Sequence, residues 1–273
     1  MKTLTSQGLT IPRLGFGTWR LKGEECQQAV ETALELGYRH LDTAEMYDNE
    51  EGVGAGIKAS GMAREEFHLT TKVWHDHLTA PAIRRALDNS LSKLQTDYVD
   101  LYMVHWPNPE MDMEKVFTTL KYLKEEERIR GIGVCNFPVP LLKTVVEELE
   151  VPLVCNQIEY HVLLDQSPVR NYLSQFNIPV TAYCPLAQGR LAEHEVLSDI
   201  AKEQNASAAQ IALAWLLCQD GVMAIPKSSR REGIAANFAA QHIELTADQM
   251  ARLNQLPKNQ RLVNPDFGPQ WDN

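Results

Sequence analysis

The sequence has few cysteines, and none of them is spaced as in a metal site or a redox motif. It contains Cys26, Cys135, Cys155, Cys184 and Cys218, an odd number with no C-x-x-C pair. Most of them lie in apolar runs, such as the one that ends at Cys135. This usage is typical of reduced, buried thiols in a cytosolic protein.

Long apolar runs and an excess of basic charge are also missing. No stretch reaches the roughly 18 apolar residues that a membrane helix requires, and Met1–Ser6 does not begin an apolar signal segment. The chain has 26 basic and 36 acidic side chains, so its net charge is −10. A surface that binds nucleic acid needs clustered Lys and Arg. We therefore expect a cytoplasmic protein with no membrane or nucleic-acid partner.

The glycine-rich turn of the common dinucleotide-binding sheets is absent. Two glycine pairs come near the G-x-G-x-x-G pattern, at 15–17 and at 52–56, but each lacks the third glycine. An open, doubly wound nucleotide-binding sheet usually carries this turn after its first strand. A dinucleotide would therefore have to bind by other means.

The sequence does contain a regular alternation of strand-like and helical patterns. Its 273 residues are 44% hydrophobic, which is enough for one large core. After a run that ends at Gly15-Phe16-Gly17, strand-like segments occur at 38–42, 67–73, 97–104, 130–135, 154–158, 179–183 and 222–225. Amphipathic helical patterns separate them, which is typical of βαβ units in a parallel sheet.

We therefore predict one domain over residues 1–273, folded as a single (β/α)8 (TIM) barrel. The segment 185–221 is longer than the other connections and predicts a loop and two helices between adjacent strands. The tail from Pro257 has no helical periodicity, and we expect it to cross the barrel as a loop, with 261–271 as a lid.

Polar side chains lie where the predicted strands end. Asp42, Lys72 and His105 close the second, third and fourth strands. The four later strands are closed by Asn136, Gln157, Tyr183 and Lys227. In a (β/α)8 barrel the carboxyl ends of the strands meet at one rim, where such enzymes carry their chemistry. Because a buried charge is costly unless it is paired, we predict an ion pair between Asp42 and Lys72.

This set of residues suits the reduction of a carbonyl group. Tyr47 follows Asp42 by five residues and can reach towards Lys72, whose ammonium is expected to lower the tyrosine pKa from about 10 and make it a proton donor. His105 can donate a hydrogen bond to a carbonyl oxygen. No side chain donates hydride, so a nicotinamide cofactor must supply it. Tyr183 could stack on the nicotinamide ring, and Asn136 and Gln157 could bind its carboxamide.

Eight short motifs carry a resemblance to a known family, and together they span essentially the whole chain. They are GFGTW at 15–19, LDTAEMY at 41–47, TKVW at 71–74, HWP at 105–107, GIGVCNF at 131–137, NQIE at 156–159, YCPL at 183–186 and IPKS at 225–228. The chain resembles the aldo-keto reductases, and within them the bacterial 2,5-diketo-D-gluconate reductases.

The resemblance implies a role for each matching position. Its catalytic tetrad corresponds to Asp42, Tyr47, Lys72 and His105. Its cofactor contacts correspond to Thr18, Trp19, Asp42, Cys135, Asn136, Gln157, Tyr183, Pro185, Leu186, Gln188, Lys227, Ser228, Ser229, Arg230 and Asn237. Its substrate contacts correspond to Trp19, Tyr47, Trp74, His105 and Trp106. The implied protein is a monomer.

The resemblance also implies NADPH as the cofactor. Lys227, Ser228 and Arg230 match positions that bind the 2′-phosphate through charge-assisted hydrogen bonds. Two departures weaken parts of the resemblance. Cys135 replaces a serine before Asn136, which is a stronger hydrogen-bond donor, and Gly233 replaces an arginine beside the adenine. The implied substrates are 2,5-diketo-D-gluconate, which becomes 2-keto-L-gulonate, methylglyoxal, other α-dicarbonyls and aromatic aldehydes.

Three other interpretations are weaker. His75-Asp76-His77 could suggest a metal site, but no second cluster completes a ligand set, so we expect no metal. Lys72 could form a Schiff base as in an aldolase, although Asp42 should keep it protonated. A barrel that senses a cofactor with little turnover is a third possibility, and the complete tetrad argues against it.

Overall fold

An eight-stranded parallel sheet lies at the centre of the computed structural model, which describes residues 2–191 and 194–272. Each strand of this sheet pairs with the next one along the chain. Its strands are β3 (Phe16–Gly17), β4 (His40–Asp42), β5 (His68–Val73), β6 (Val99–Val104), β7 (Ile129–Cys135), β8 (Leu153–Glu159), β9 (Val180–Tyr183) and β10 (Val222–Ala224). The predicted strands are confirmed to within two residues at each end.

A hairpin that the sequence interpretation missed precedes the sheet. It consists of β1 (Thr3–Ser6) and β2 (Leu9–Pro12), which pair antiparallel. The turn residues Gln7 and Gly8 both have positive φ, 49° and 80°, as a two-residue hairpin turn with the strand twist requires. The hairpin lies at the amino-terminal end of the sheet, where Ser6 Oγ donates a hydrogen bond to the Val154 carbonyl.

Helices fill the connections between the parallel strands. They are α1 (Gly23–Glu35), α2 (Glu50–Ser60), α3 (Ala80–Leu94), α4 (Met113–Glu125), α5 (Val139–Lys143), α6 (Ser167–Ser174), α7 (Glu195–Glu203), α8 (Ala208–Leu217), α9 (Arg231–Ala239) and α10 (Ala247–Asn254). The two helices predicted within 185–221 are α7 and α8, and the chain from Pro257 to Asp272 contains no helix, as predicted. None of the described helices is both long and apolar enough to cross a membrane.

Hydrogen bonds also join the first and last parallel strands, so the sheet is curled and barrel-like. Leu14 forms a parallel bridge with Ala224, the Gly15 amide donates to the Ala224 carbonyl, and the Gly17 amide donates to the Pro226 carbonyl. A Cβ atom on Gly17 would lie 2.7 Å from the Ile225 carbonyl oxygen. Gly17 of the Gly15-Phe16-Gly17 motif therefore serves a close approach of two backbones, which only glycine allows.

The core has two parts, one on each side of the sheet. The larger part packs the outer face of the strands against the helices, and the predicted stripe of Cys26, Ala29, Val30, Ala33 and Leu34 on α1 is buried there. The smaller part fills the inside of the sheet with side chains that include Ile11, Met103 and Met223. The sheet interior is therefore a packed core and not an open pore.

Two buried histidines begin neighbouring strands at the amino-terminal end. His40 and His68 are 2% and 6% exposed, and their ring centroids are 4.9 Å apart. Burial lowers the pKa of His40. Burial, followed by the nearby His40, Arg64 and Arg130, holds the pKa of His68 well below 6.5. Both rings are therefore neutral in the folded protein at neutral pH.

These two pKa values predict that acid destabilises the fold. In the unfolded chain each ring takes up a proton below about pH 6.5, so the free energy of unfolding should fall by up to about 1.4 kcal/mol per pH unit for each histidine. Urea denaturation between about pH 7.5 and pH 5 should show that the free energy of unfolding falls less steeply with decreasing pH in His68→Gln than in the original protein. His242→Gln, at an exposed histidine, should keep the original slope. An unchanged slope in His68→Gln would mean that folding does not depress its pKa.

Candidate active site

A cavity of about 780 Å³ opens at the carboxyl ends of the parallel strands. Every strand of the sheet contributes to its lining, either from its last residues or from the loop that follows it. Taken from β3 to β10, these contributors include Thr18, Tyr47, Trp74, His105, Asn136, Gln157, Tyr183 and Lys227. The volume lies in the range of ligand pockets.

The predicted ion pair between Asp42, which lines the cavity, and Lys72, which lies behind it, is confirmed. Lys72 Nζ lies 2.5 Å from Asp42 Oδ1, and the two side chains are 0% and 1% exposed. The ammonium also donates to the Thr43 carbonyl at 2.7 Å. Asp42 Oδ2 accepts a hydrogen bond from Gln157 Nε2 at 2.7 Å. These contacts offset the cost of removing both charges from water.

The surroundings of Lys72 keep it charged. Burial by itself lowers the pKa of an ammonium, but the opposing effects of Asp42, Tyr47 and Cys135 outweigh it and raise the pKa above its ordinary value. A permanently protonated lysine is a poor nucleophile. The structure thus gives no support to a Schiff-base mechanism on Lys72.

Tyr47 lies beside this ammonium, with its hydroxyl 3.4 Å from Lys72 Nζ. The expectation of a lowered tyrosine pKa is wrong. Burial raises the pKa of Tyr47 to about 12, and the opposing effect of Lys72 only partly compensates. The phenol therefore keeps its proton throughout the neutral range.

The His105 ring lies next to the rings of Tyr47 and Trp74 in the cavity. Its ring centroid is 5.5 Å from that of Tyr47 and 5.2 Å from that of Trp74. Burial, then the charge of Lys72 and the neighbouring His75, hold its pKa well below 6.5, so the ring is neutral. A neutral imidazole can still donate one hydrogen bond.

Asn136 and Tyr183 are fixed together on the far side of the cavity. The Tyr183 hydroxyl donates to Asn136 Oδ1 at 2.8 Å, and Asn136 Nδ2 donates to the His105 carbonyl at 3.0 Å. Asn136 has a φ of 62°, a left-handed conformation that asparagine adopts more readily than most residues. The structure brings both residues into the lining together with Gln157.

Most of the other residues implied as cofactor contacts also line the cavity, but Cys135 does not. Thr18, Trp19, Pro185, Leu186, Gln188 and Lys227 belong to the lining. Cys135 packs inside the sheet with its Sγ 3.9 Å from Met103 Sδ. The Cys135 side chain is 1% exposed and points into the sheet interior, so its sulfur does not face the cavity.

The residues implied for phosphate binding, Lys227, Ser228 and Arg230, precede α9, and the further cofactor contacts Ser229 and Asn237 lie before and on it. Of these five residues only Lys227 belongs to the cavity lining. Ser228 Oγ accepts a hydrogen bond from the Arg230 amide at 3.2 Å, and the Ser229 and Arg230 side chains are exposed, whereas Asn237 is buried. A Cβ at Gly233 would lie 2.3 Å from Ser228 Oγ. A side chain at position 233 would therefore force Ser228 into another rotamer.

Aromatic rings form the wall that faces Tyr47 and His105. Trp19 lies 4.8 Å from Tyr47, and Trp106 lies 5.5 Å from Phe267 of the C-terminal tail, as measured between ring centroids. Trp19 is 44% exposed and Trp106 is 5% exposed. The three tryptophans implied as substrate contacts, Trp19, Trp74 and Trp106, all line this cavity. Phe267 also lines the cavity. The sequence predicted a lid over 261–271 but did not single out Phe267.

The His75-Asp76-His77 motif has a packing role. The His75 ring stacks on Phe267 at 4.3 Å, and His77 Nδ1 lies 3.1 Å from Glu45 Oε1. Glu45 also accepts a hydrogen bond from the Trp74 amide. Within residues 2–191 and 194–272 no three potential metal ligands are gathered. Glu45 thus ties the helical turn that carries Tyr47 to the loop that carries Trp74.

Sequence interpretation gave no role to Glu45 or to Asn49. Asn49 accepts from Thr43 Oγ1 and donates to the Thr18 and Leu21 carbonyls, so it holds the loop before Tyr47. Both are ordinary polar residues near a predicted loop, and their partners are distant in sequence. A sequence pattern carries no signal for such contacts.

Comparison with known proteins shows the family. The model of the Aldo/keto reductase family matches residues 13–258. Methylglyoxal reductase DkgB of Escherichia coli O157:H7 is 40% identical over 268 residues, which cover 97% of this chain and 100% of that protein. Glyoxal reductase of Bacillus subtilis (strain 168) is 40% identical over 261 residues, 95% of this chain and 94% of that protein.

A solved structure described as a 2,5-diketo-D-gluconic acid reductase B superposes with a TM-score of 0.96 at 36% sequence identity, covering 100% of this chain and 98% of that one. The resemblance inferred from the motifs is confirmed. The chain belongs to the Aldo/keto reductase family of oxidoreductases.

The buried ion pair predicts a large loss of stability in Asp42→Asn. That change leaves the Lys72 ammonium buried without a carboxylate, which should cost about 3–5 kcal/mol of unfolding free energy. The control is Asp48→Asn, because Asp48 pairs with Lys22 at 3.2 Å but is 85% exposed. Urea denaturation should show a near-normal midpoint in the control. Equal midpoints in the two variants would contradict the role of the pair.

Proposed function

We propose that this protein is an NADPH-dependent aldo-keto reductase that reduces small carbonyl compounds. The candidate substrates are 2,5-diketo-D-gluconate, methylglyoxal, other α-dicarbonyls and aldehydes. The proposal includes a single closed (β/α)8 domain over residues 1–273 that acts as a monomer, with the cavity at the carboxyl ends of its strands as the active site. The observation that carries it is the Lys72 ammonium, which is held between the Asp42 carboxylate and the Tyr47 phenol.

The cavity lining fits a nicotinamide. The Asn136 amide is fixed by Tyr183 and by the His105 carbonyl, which leaves one Nδ2 proton and one Oδ1 lone pair for a carboxamide. Gln157 uses Nε2 on Asp42 and has Oε1 to accept a hydrogen bond. The Tyr183 ring offers a flat surface for stacking. When bound, a reduced nicotinamide supplies the hydride.

Tyr47 supplies the proton in this proposal. Its raised pKa keeps the phenol neutral at neutral pH, so the donor is loaded before a carbonyl arrives. An alkoxide is a much stronger base than a phenolate, so proton transfer from Tyr47 to the developing alkoxide remains favourable. The fixed ammonium of Lys72 then stabilises the phenolate. Neutral His105 donates a hydrogen bond to the carbonyl oxygen and limits the charge that builds up on it.

Two assays together separate the three functions considered from the sequence. Oxidation of NADPH in the presence of methylglyoxal supports the reductase. Trapping of a substrate on Lys72 by borohydride, without NADPH oxidation, supports the aldolase. Absence of both supports a sensor. A kcat/KM panel of α-keto acids, dicarbonyls and aromatic aldehydes with both nicotinamides then identifies the preferred substrate class.

Tyr47→Phe should lower kcat strongly and leave cofactor binding intact. The change removes only the hydroxyl that donates the proton, and general acid catalysis of this kind contributes about 100-fold to 10,000-fold to a rate. Steady-state kinetics should show the fall in kcat, and quenching of tryptophan fluorescence should show an unchanged Kd for NADPH. Equal losses of kcat and NADPH affinity would contradict the assigned role.

Arg230→Ala should weaken binding of NADPH more than binding of NADH. A guanidinium that binds the 2′-phosphate contributes only to the phosphorylated cofactor. Arg231→Ala is a matched control at the next position, because Arg231 pairs with Glu35 at 2.7 Å. The ratio of the two Kd values should change in the first variant and stay constant in the second. An unchanged ratio in Arg230→Ala would place the phosphate site elsewhere.

A further inference from the structure

A completely buried carboxylate lies under the C-terminal tail, and the mechanism above does not use it. Glu159 is the last residue of β8 and is 0% exposed. Its Oε1 accepts hydrogen bonds from His161 Nε2 at 2.9 Å and from the Leu262 amide at 2.8 Å. Its Oε2 accepts from the Val263 amide at 2.9 Å. Two consecutive amides of the tail therefore bind one carboxylate.

His161 completes this arrangement from the same segment as Glu159. The Leu163 amide donates to His161 Nδ1 at 3.3 Å. The ring therefore carries its proton on Nε2, the nitrogen that faces Glu159. A buried carboxylate is costly unless donors satisfy its oxygens. Three donors do so here, and each bond is strengthened by the charge on the acceptor.

The amides that bind Glu159 belong to residues that line the cavity. Leu262 and Val263 lie in the same lining as Tyr47 and His105, and so does Phe267 further along the tail. Within the C-terminal tail from Pro257, residues 262–272 form no helix or strand. A backbone without regular hydrogen bonds depends on its anchor points for its position.

The tail has a second anchor near its other end. Asp272 Oδ2 accepts a hydrogen bond from the Val139 amide at 2.9 Å. Between the two anchors Phe267 contacts Trp74 and Trp106 with centroid distances of 5.7 and 5.5 Å. The inner anchor at Glu159 thus holds the backbone of Leu262 and Val263, next to the hydrogen bond from the Gln260 amide to the Leu163 carbonyl.

We propose that Glu159 is a positioning residue: by binding the Leu262 and Val263 amides, it sets the depth of the C-terminal tail over Tyr47 and so the fit of small carbonyl substrates. This inference rests on the proposed reductase function. Glu159 does not touch the reacting atoms. It acts on substrate through two side chains of the tail.

Glu159→Gln tests the proposal with little change of volume. In the variant a neutral side-chain amide replaces the carboxylate. Its NH2 group then faces a backbone amide of the tail, which is also a donor, so an N–H group is left without an acceptor. We expect a KM for methylglyoxal about tenfold higher, since a charge-assisted hydrogen bond has about that effect. The kcat and the Kd for NADPH should stay close to the original values. Hydrogen exchange at Leu262 and Val263 should become at least about tenfold faster.

The control is Glu147→Gln. Glu147 also accepts a hydrogen bond, from the Tyr172 hydroxyl at 2.9 Å, but it does not line the cavity. The Glu147→Gln variant should have the same KM for methylglyoxal and the same hydrogen exchange at Leu262 and Val263 as the original protein. If Glu159→Gln fails to fold, Val263→Pro removes one donor from the tail side, outside every helix and strand, and should raise the KM in the same way.

Two results would overturn the proposal. One is an unchanged KM together with unchanged exchange at Leu262 and Val263. The other is a fall in kcat and in NADPH affinity at constant KM, which would mean that Glu159 acts through Tyr183, its neighbour in the pairing of β8 with β9. Failure of the proposed function gives a different result, because the unmodified protein would then oxidise no NADPH with any carbonyl compound.

Discussion

The buried pair of Asp42 and Lys72 is the interaction on which the rest of the site depends. Both charges lie out of water at the carboxyl ends of adjacent strands, where an unpaired charge would be very costly. The pair is stable because Lys72 also donates a hydrogen bond to the Thr43 carbonyl and Asp42 also accepts one from the Gln157 amide. The result is a fixed positive charge beside a phenol, in a place where the effective dielectric constant is low.

Two opposing effects meet at Tyr47, and their balance defines the chemistry that we propose. Burial disfavours the phenolate, and the Lys72 ammonium favours it. Burial prevails, since the pKa of Tyr47 rises to about 12. A donor of this kind releases no proton to water at neutral pH. In the proposed reaction it would act only against a strong base such as an alkoxide, which would link proton release to the arrival of hydride on the carbonyl carbon.

The cavity walls come from segments that are far apart in the chain. Trp74 follows β5, Trp106 follows β6, and Phe267 lies in the tail. Glu45 and Glu159 each fix one such segment by accepting hydrogen bonds from backbone amides. Carboxylates that hold loops in this way let a cavity keep a defined shape although its walls have no regular secondary structure.

The sequence by itself determined the parallel sheet, the helices between its strands, the family and the pairing of Asp42 with Lys72. These follow from local periodicity, from motifs and from the cost of burying charge, all of which are present in the order of residues. The tertiary structure alone decided the direction of the Tyr47 pKa, because burial depends on atoms from every strand. It also decided the inward position of Cys135 and the contacts of Glu159 with Leu262 and Val263. Those contacts join residues about one hundred positions apart, and no local pattern encodes such a distance.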